Sequence, residues 1–279
     1  MRISAVHSTV YRYDSPVYQE PHTFRLRPRS DGSQTLLRYA LEITPAPAGE
    51  TACLDQDGNV IVEAWFREPM WELSVSSSFE VETLRENPFD YILAGSDLAS
   101  LPLLYREPLL SALSPYLRTL ENGQPIRDFA RSLAEAARWE TLPFLGALNQ
   151  AIFEGFAHTI RDDGPPDQPE TTLANRAGSC RDVAMLFCAA CRVMGIPARF
   201  VSGYEREAAI QEQPYMHAWA EVYLRGGGWR GYDPSQGLAV STAHVAVAAA
   251  ADPQLAAPVA GTYRGTAKAT MEFRIAMQL

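Results

Sequence analysis

Ala177-Gly178-Ser179-Cys180-Arg181-Asp182, running straight into Val183-Ala184-Met185-Leu186-Phe187, is the stretch on which the reading of this chain turns. Ser179 followed three residues later by Asp182 is a capping-box pattern, so Ser179 is expected at the N-cap and Cys180 in the first helical turn. The apolar run continues to Met194, where Gly195-Ile196-Pro197 stops it, and this predicts a buried helix. At a helix start the unpaired N–H groups and the positive end of the dipole favour a thiolate over a thiol. The same N–H groups are placed to donate to an oxyanion. Gly178 is expected to let the backbone turn sharply and to leave room for a substrate. Most cysteines at such a position are simply buried; the cap is what singles out Cys180. Cys188 and Cys191, flanked by Phe187, Ala189, Ala190 and Val193, read instead as small core residues. They lie two turns inside the helix, away from the start where a redox Cys-x-x-Cys pair belongs. A zinc site would need further ligands at proper spacing, and none is supplied.

A thiolate nucleophile needs a base, and the base needs an orienting group. Histidines stand at 7, 22, 158, 217 and 244. His217 opens the strand pattern His217-Ala218-Trp219-Ala220-Glu221-Val222-Tyr223-Leu224. Arg225-Gly226-Gly227-Gly228 then reads as a hairpin turn, and Trp229 to Asp233 as the returning strand. Pairing Tyr223 with Trp229 puts Asp233 diagonally beside His217 on one face; pairing Leu224 with Trp229 separates them unless a bulge intervenes. The sequence leaves both registers open. His158, at the end of a predicted helix beside a loop, is the rival base.

Outward from this centre the chain divides in three. Residues 1–93 read as strands (Val6 to Tyr13, Thr35 to Thr44, Asn59 to Phe66, Leu73 to Thr83) separated by Pro, Gly and Asp turns, which suggests a β-sandwich. Arg25, Arg27, Arg29 and Arg38 are expected on its solvated surface, in preference to the alternative that they mark an anion-binding face. Residues 94–124 are a Pro-interrupted connector with brief helices. Residues 125–279 form an α+β unit. Pro125 marks a helix start, and Thr141-Leu142-Pro143 opens a second helix. Ala246 to Ala251 is ambiguous between helix and strand, and Met271 to Leu279 alternates as a half-buried strand.

Of the 279 residues 47% are apolar, ample for a core, and 24 Lys+Arg against 33 Asp+Glu give a net charge of −9. That balance argues against a nucleic-acid partner, since no cationic excess is available to displace counterions. No apolar run reaches the ~18 residues that span a bilayer. The N-terminus lacks a signal-peptide apolar region, and four clustered cysteines make no disulfide framework. A cytoplasmic, reduced protein without membrane contact is the expectation.

Ala177 to Asp182, Met194-Gly195-Ile196-Pro197-Ala198-Arg199-Phe200-Val201-Ser202-Gly203-Tyr204, His217-Ala218-Trp219 and Trp229-Arg230-Gly231-Tyr232-Asp233-Pro234-Ser235 together resemble the transglutaminase-like superfamily of bacteria. Tyr11 to Val17, Leu26-Arg27-Pro28-Arg29 and Asp57-Gly58-Asn59 resemble the β-rich region that precedes this core in one bacterial branch. The resemblance implies a papain-like core carrying a catalytic Cys180, His217 and Asp233. Cys180 would attack an amide carbonyl of a peptide, protein or small molecule, forming a thioester. It implies Trp219, His158, Ser179 and Tyr204 as further candidates for oxyanion or substrate contact. Two positions depart from the branch. His158 replaces the usual aromatic residue, and Ala250-Ala251-Asp252 replaces Gly-Arg-Asp. No acidic loop supports calcium, and no cofactor or metal is expected. The favoured activity is amide hydrolysis, with glutamine transamidation or a non-catalytic binding module as alternatives.

Overall fold

The computed structural model describes residues 1–94, 100–119, 123–161, 164–206 and 215–278. Six N-terminal strands come first: β1 Arg2–Gln19, β2 His22–Phe24, β3 Gln34–Thr44, β4 Gly49–Leu54, β5 Val60–Trp65 and β6 Met70–Thr83. Then follow α1 Leu109–Leu117, α2 Gln124–Ala136, α3 Thr141–Gly155, β7 Ala157–His158, α4 Pro169–Asn175, β8 Ala177–Gly178 and α5 Cys180–Val193. The chain ends in β9 Ala198–Glu205, β10 His217–Leu224, β11 Gly228–Asp233, β12 Leu238–Ala239, β13 His244–Ala250, β14 Val259–Ala260, β15 Tyr263–Arg264 and β16 Ala269–Gln278. The protein is α+β, a β-rich N-terminal region followed by a core of the expected papain-like kind. No helix among the described residues is long and apolar enough to cross a membrane.

The N-terminal strands build two facing sheets, β15-β1-β6-β3 with β16 also on β1, and β14-β2-β5-β4. Phe24, Ala64 and Val62 of the second sheet pack on Leu73, Val75, Leu41 and Ile43 of the first. Both sheets borrow strands from the far end of the chain. β16 pairs with β1 from Ser4↔Gln278 to Tyr13↔Ala269, and β14 pairs with β2. The expected division of 1–93 from 125–279 therefore fails at the C-terminus: residues 259–278 belong to the N-terminal sheets. Alternation announced the strand, but alternation says nothing about the partner. The connector also differs from a free linker, since Leu101, Leu103, Tyr105 and Leu113 are buried in the core around α5.

That core surrounds α5, which is buried along almost its whole length. Ile126 and Ala130 of α2, Phe144 and Leu148 of α3, and Ala220 and Val222 of β10 close over it. Behind α5 lies the sheet β12-β11-β10-β9-β13. The alanine run of β13 is a strand despite its helix-forming composition. Small side chains let it fit between Trp219 and Val201 on one face and Cys180, Ala184 and Phe200 on the other, so packing overrides propensity.

β13 is an edge strand, and the N-terminal region covers it with side-chain amides. Asn59 accepts from Ala249 N–H at 2.8 Å and donates to Ala249 C=O at 2.9 Å; Gln34 does the same to Ala246 at 2.8 and 2.9 Å. Each amide imitates a neighbouring strand and satisfies groups that an edge leaves open.

Arg29 adds an ionic tie, correcting the expectation that it faces solvent. Its guanidinium meets Glu221 of β10 at 2.6 Å, and Arg199 of β9 meets the other carboxylate oxygen at 2.7 Å. Burial acts to raise the Glu221 carboxyl, but the two guanidinium groups outweigh it and hold the value at about 2. A depressed carboxyl stabilises the fold above its unfolded value of 4.5, and that contribution is lost as pH falls through about 2. The magnitude is on the order of 3 kcal/mol. Glu221→Gln should lower stability in urea unfolding at neutral pH, with the gap to wild type narrowing from pH 4.5 downward. A gap constant across that range contradicts the assignment.

Candidate active site

Cys180 stands at the first position of α5, with Ser179 at the N-cap as the spacing predicts. The Ser179 N–H and hydroxyl both donate to Asp182 Oδ2 at 2.7 Å. Asp182 Oδ1 accepts from Arg161 at 2.6 Å and from Asp167 N–H at 2.7 Å. One carboxylate thus fixes both the helix start and the loop that approaches it. Gly178 is required for a reason other than substrate room. A Cβ there would lie 2.8 Å from Asp182 Cβ and 3.2 Å from Thr172 Cγ2, so it is the cap itself that needs the space.

The hairpin adopts the register with Tyr223 opposite Trp229, which leaves His217 and Asp233 on one face. His217 Nε2 lies 2.6 Å from Asp233 Oδ2. A carboxylate only accepts, so Nε2 carries the proton and Nδ1 is the nitrogen left for other chemistry. Nδ1 has no hydrogen-bond partner of ordinary geometry, and Cys180 is close enough to affect the ring's proton affinity. Burial disfavours the imidazolium, but the charge and hydrogen bond of Asp233, helped by Cys180, hold His217 well above the ordinary histidine value. Asp233 is completely buried. Burial would raise its carboxyl, yet its histidine neighbours pull it far below the usual range.

Cys180 and His217 open into a cavity of about 700 Å³. Its far wall comes from the N-terminal sheet, and β1 explains how. Ile3 and Ala5 pack on β9 and β13, and Tyr11 packs in the sandwich. Between them, on the same face, His7 and Thr9 look into the cavity beside Met271 and Phe273 of β16. His7 is held down to about 4 by burial, so this wall is uncharged at neutral pH. No Asp or Glu lines the cavity among the described residues.

The remaining sequence candidates separate. Ser179 lines the cavity, but its hydroxyl is committed to Asp182. His158 is exposed at the cavity beside Gly178, and has no carboxylate within hydrogen-bonding distance among the described residues. Burial and the neighbouring His217 lower its proton affinity, with Asp233 acting the other way. Tyr204 is not brought to the cavity. It is fully buried, its hydroxyl 2.9 Å from His7 Nδ1 and its ring against Phe79. Trp219 is also fully buried, behind His217, and fits only because Gly203 has no side chain: a Cβ there would lie 2.5 Å from the indole.

Two residues at the centre escaped the sequence reading. Ser235 donates its hydroxyl at 2.7 Å and its N–H at 3.1 Å to Asp233 Oδ1, and His244 Nε2 lies 3.1 Å from Asp233 Oδ2. Asp-Pro-Ser was visible as a turn motif. His244 could be found only by knowing that its strand lies on β9, whose Glu205 it faces.

Residues 127–234 match the transglutaminase-like superfamily, and residues 3–82 match the bacterial transglutaminase-like N-terminal region. An uncharacterized protein of Mycobacterium leprae is 28% identical over 282 residues, covering 95% of this chain and 94% of its own. Another, from Mycobacterium tuberculosis, is 26% identical over 259 residues, covering 88% and 82%. A crystal structure described as a candidate cysteine protease from Cytophaga hutchinsonii has a TM-score of 0.74 at 23% identity, covering 99% of this chain and 90% of that one. At that identity the likeness is one of fold. With both regions matched in order, the chain belongs to the transglutaminase-like superfamily, in the bacterial branch that carries this N-terminal region.

Proposed function

We propose that the protein is a cysteine amidase or peptidase that works through Cys180, His217 and Asp233. The observation that carries this reading is the single imidazole of His217, held by Asp233 on one nitrogen and presenting the other to the cavity that Cys180 shares. The Cys180 thiol gives its proton to His217 Nδ1, and the sulfur attacks the amide carbonyl carbon. The oxyanion forms beside the Cys180 N–H at the start of α5. His217 gives its Nδ1 proton to the leaving nitrogen as the C–N bond breaks, leaving a thioester. Water then loses a proton to Nδ1, attacks the thioester carbon and expels the thiolate. Asp233 keeps its charge throughout and holds the ring in the Nε2–H orientation.

Water is the proposed acceptor because no described carboxylate lines the cavity to receive a primary ammonium group. The acyl group would lie along the uncharged wall of β1 and β16, which favours a peptide or small amide with an apolar group near the scissile bond. The test mixes the protein with a library of peptide amides, with and without a dansylated primary amine. Free-acid products and a hydroxylamine-labile adduct on Cys180 are expected. Predominant amine incorporation would make it a transamidase, and neither adduct nor turnover would make it a binding module.

A further inference from the structure

Asp233 has four acceptor positions, and all four are filled. Ser235 takes two on Oδ1 through its hydroxyl and N–H. On Oδ2 two imidazoles compete, His217 at 2.6 Å and His244 at 3.1 Å. The second has no part in the mechanism above. His244 is buried, comes from β13 rather than from the hairpin, and packs edge-on against Trp219 with ring centroids 5.2 Å apart. Because the carboxylate only accepts, the His244 proton is on Nε2. Its Nδ1 is then a buried acceptor, and it has no partner. Leaving such a group unpaired is costly, so the ring's orientation is set by the bond to Asp233 and not by its own surroundings.

We propose that His244 is a positioning residue for the catalytic pair, donating its Nε2–H to Asp233 Oδ2 so that the carboxylate is locked in place and shares that oxygen between two donors. The sharing has a chemical use. His217 must first hold a proton and then release it to the leaving nitrogen. A carboxylate that gave Oδ2 to His217 alone would keep the imidazolium too firmly for the second task. A donor beside it withdraws charge from the shared oxygen and makes His217 a better acid. The sign is the same whether His244 is neutral or charged, since a second cation also opposes the first. The groups facing the pair are Cys180 on α5, His158 on β7, Glu205 on β9 across from His244, and Asp233 itself.

The test needs no substrate. Histidine-selective 15N labelling lets each imidazole be followed by NMR through a pH titration, with His217 identified by its loss in His217→Asn. In His244→Phe, which fills the space without a donor, the imidazolium-to-imidazole ratio of His217 at the wild-type midpoint should rise about tenfold, the worth of one charge-assisted hydrogen bond. His244→Gln, whose side-chain amide restores an N–H, should return most of that change. If the Phe variant fails to fold, His244→Asn, too short to reach Oδ2, is read in its place. A His217 titration that is unmoved or falls, whatever happens to the melting temperature, overturns the proposal and leaves His244 as packing. The proposal rests on the triad reading, but the two fail separately. Wild-type Cys180 alkylating like an ordinary thiol would remove the triad, whereas an unmoved His217 titration removes only His244.

Discussion

Cys180→Ala should eliminate turnover, by about 10⁴-fold or more, while the fold survives. The loss is large because Cys180 is, among the described residues, the one cysteine that lines the cavity beside His217. Survival follows from where the helix start gets its strength: the Ser179–Asp182 cap and the Arg161 contact do not involve the sulfur. The thiol packs among small groups such as Ala184 and Ala218, so its removal should shift the melting temperature by only about 2–4 °C. Cys188→Leu is the converse control. That thiol is fully buried in the core around α5, where added volume strains the packing. Burial raises its value to about 11, so it takes no part in chemistry near neutral pH. The variant should lose stability and keep its specific activity. Steady-state rates and thermal melts on both proteins decide the matter; a Cys180→Ala protein that retains turnover would refute the nucleophile.

Asp233→Asn is expected to cost both activity and stability, which distinguishes it from an orienting residue with spare capacity. The carboxylate receives His217 and His244 on one oxygen and both Ser235 donors on the other. An amide has one acceptor oxygen, and its NH₂ must point at a pair of donors. If it turns the NH₂ toward the histidines, His217 has to place its proton on Nδ1, facing the sulfur, which leaves no base for it. Loss of the charge and the wrong tautomer together should reduce kcat by roughly 10²–10⁴-fold. Stability should fall by about 2–4 kcal/mol, because a buried hydrogen-bonded ion is replaced by a group that opposes its partners. The check is kcat with chemical denaturation on the same protein. Unchanged kcat would mean that His217 needs no partner.

The pieces nearest in sequence were the most legible. Ser179 and Asp182 announced their cap because the capping box is a local pattern, and the glycine turn limited the hairpin to two registers. The register with Tyr223 opposite Trp229 is the one adopted. What the sequence left out depends on long-range pairing. β16 alternates plainly, but its place beside β1 follows from contacts between residues separated by most of the chain. His244 is likewise invisible until β13 is known to lie on β9. Arg29 reads as a surface charge until Glu221 is placed opposite it. Gly178 was expected to leave room for a substrate, but its missing side chain makes room for Asp182 and Thr172 instead.

The most direct measurement is the rate of Cys180 alkylation by iodoacetamide against pH, in a Cys53→Ser background because Cys53 is exposed. The account predicts rapid modification of Cys180 that depends on the His217 imidazole, the group that takes the sulfur's proton, and a rate lower by about tenfold or more across the whole pH range in His217→Ala. A rate that is the same with and without His217 would contradict it.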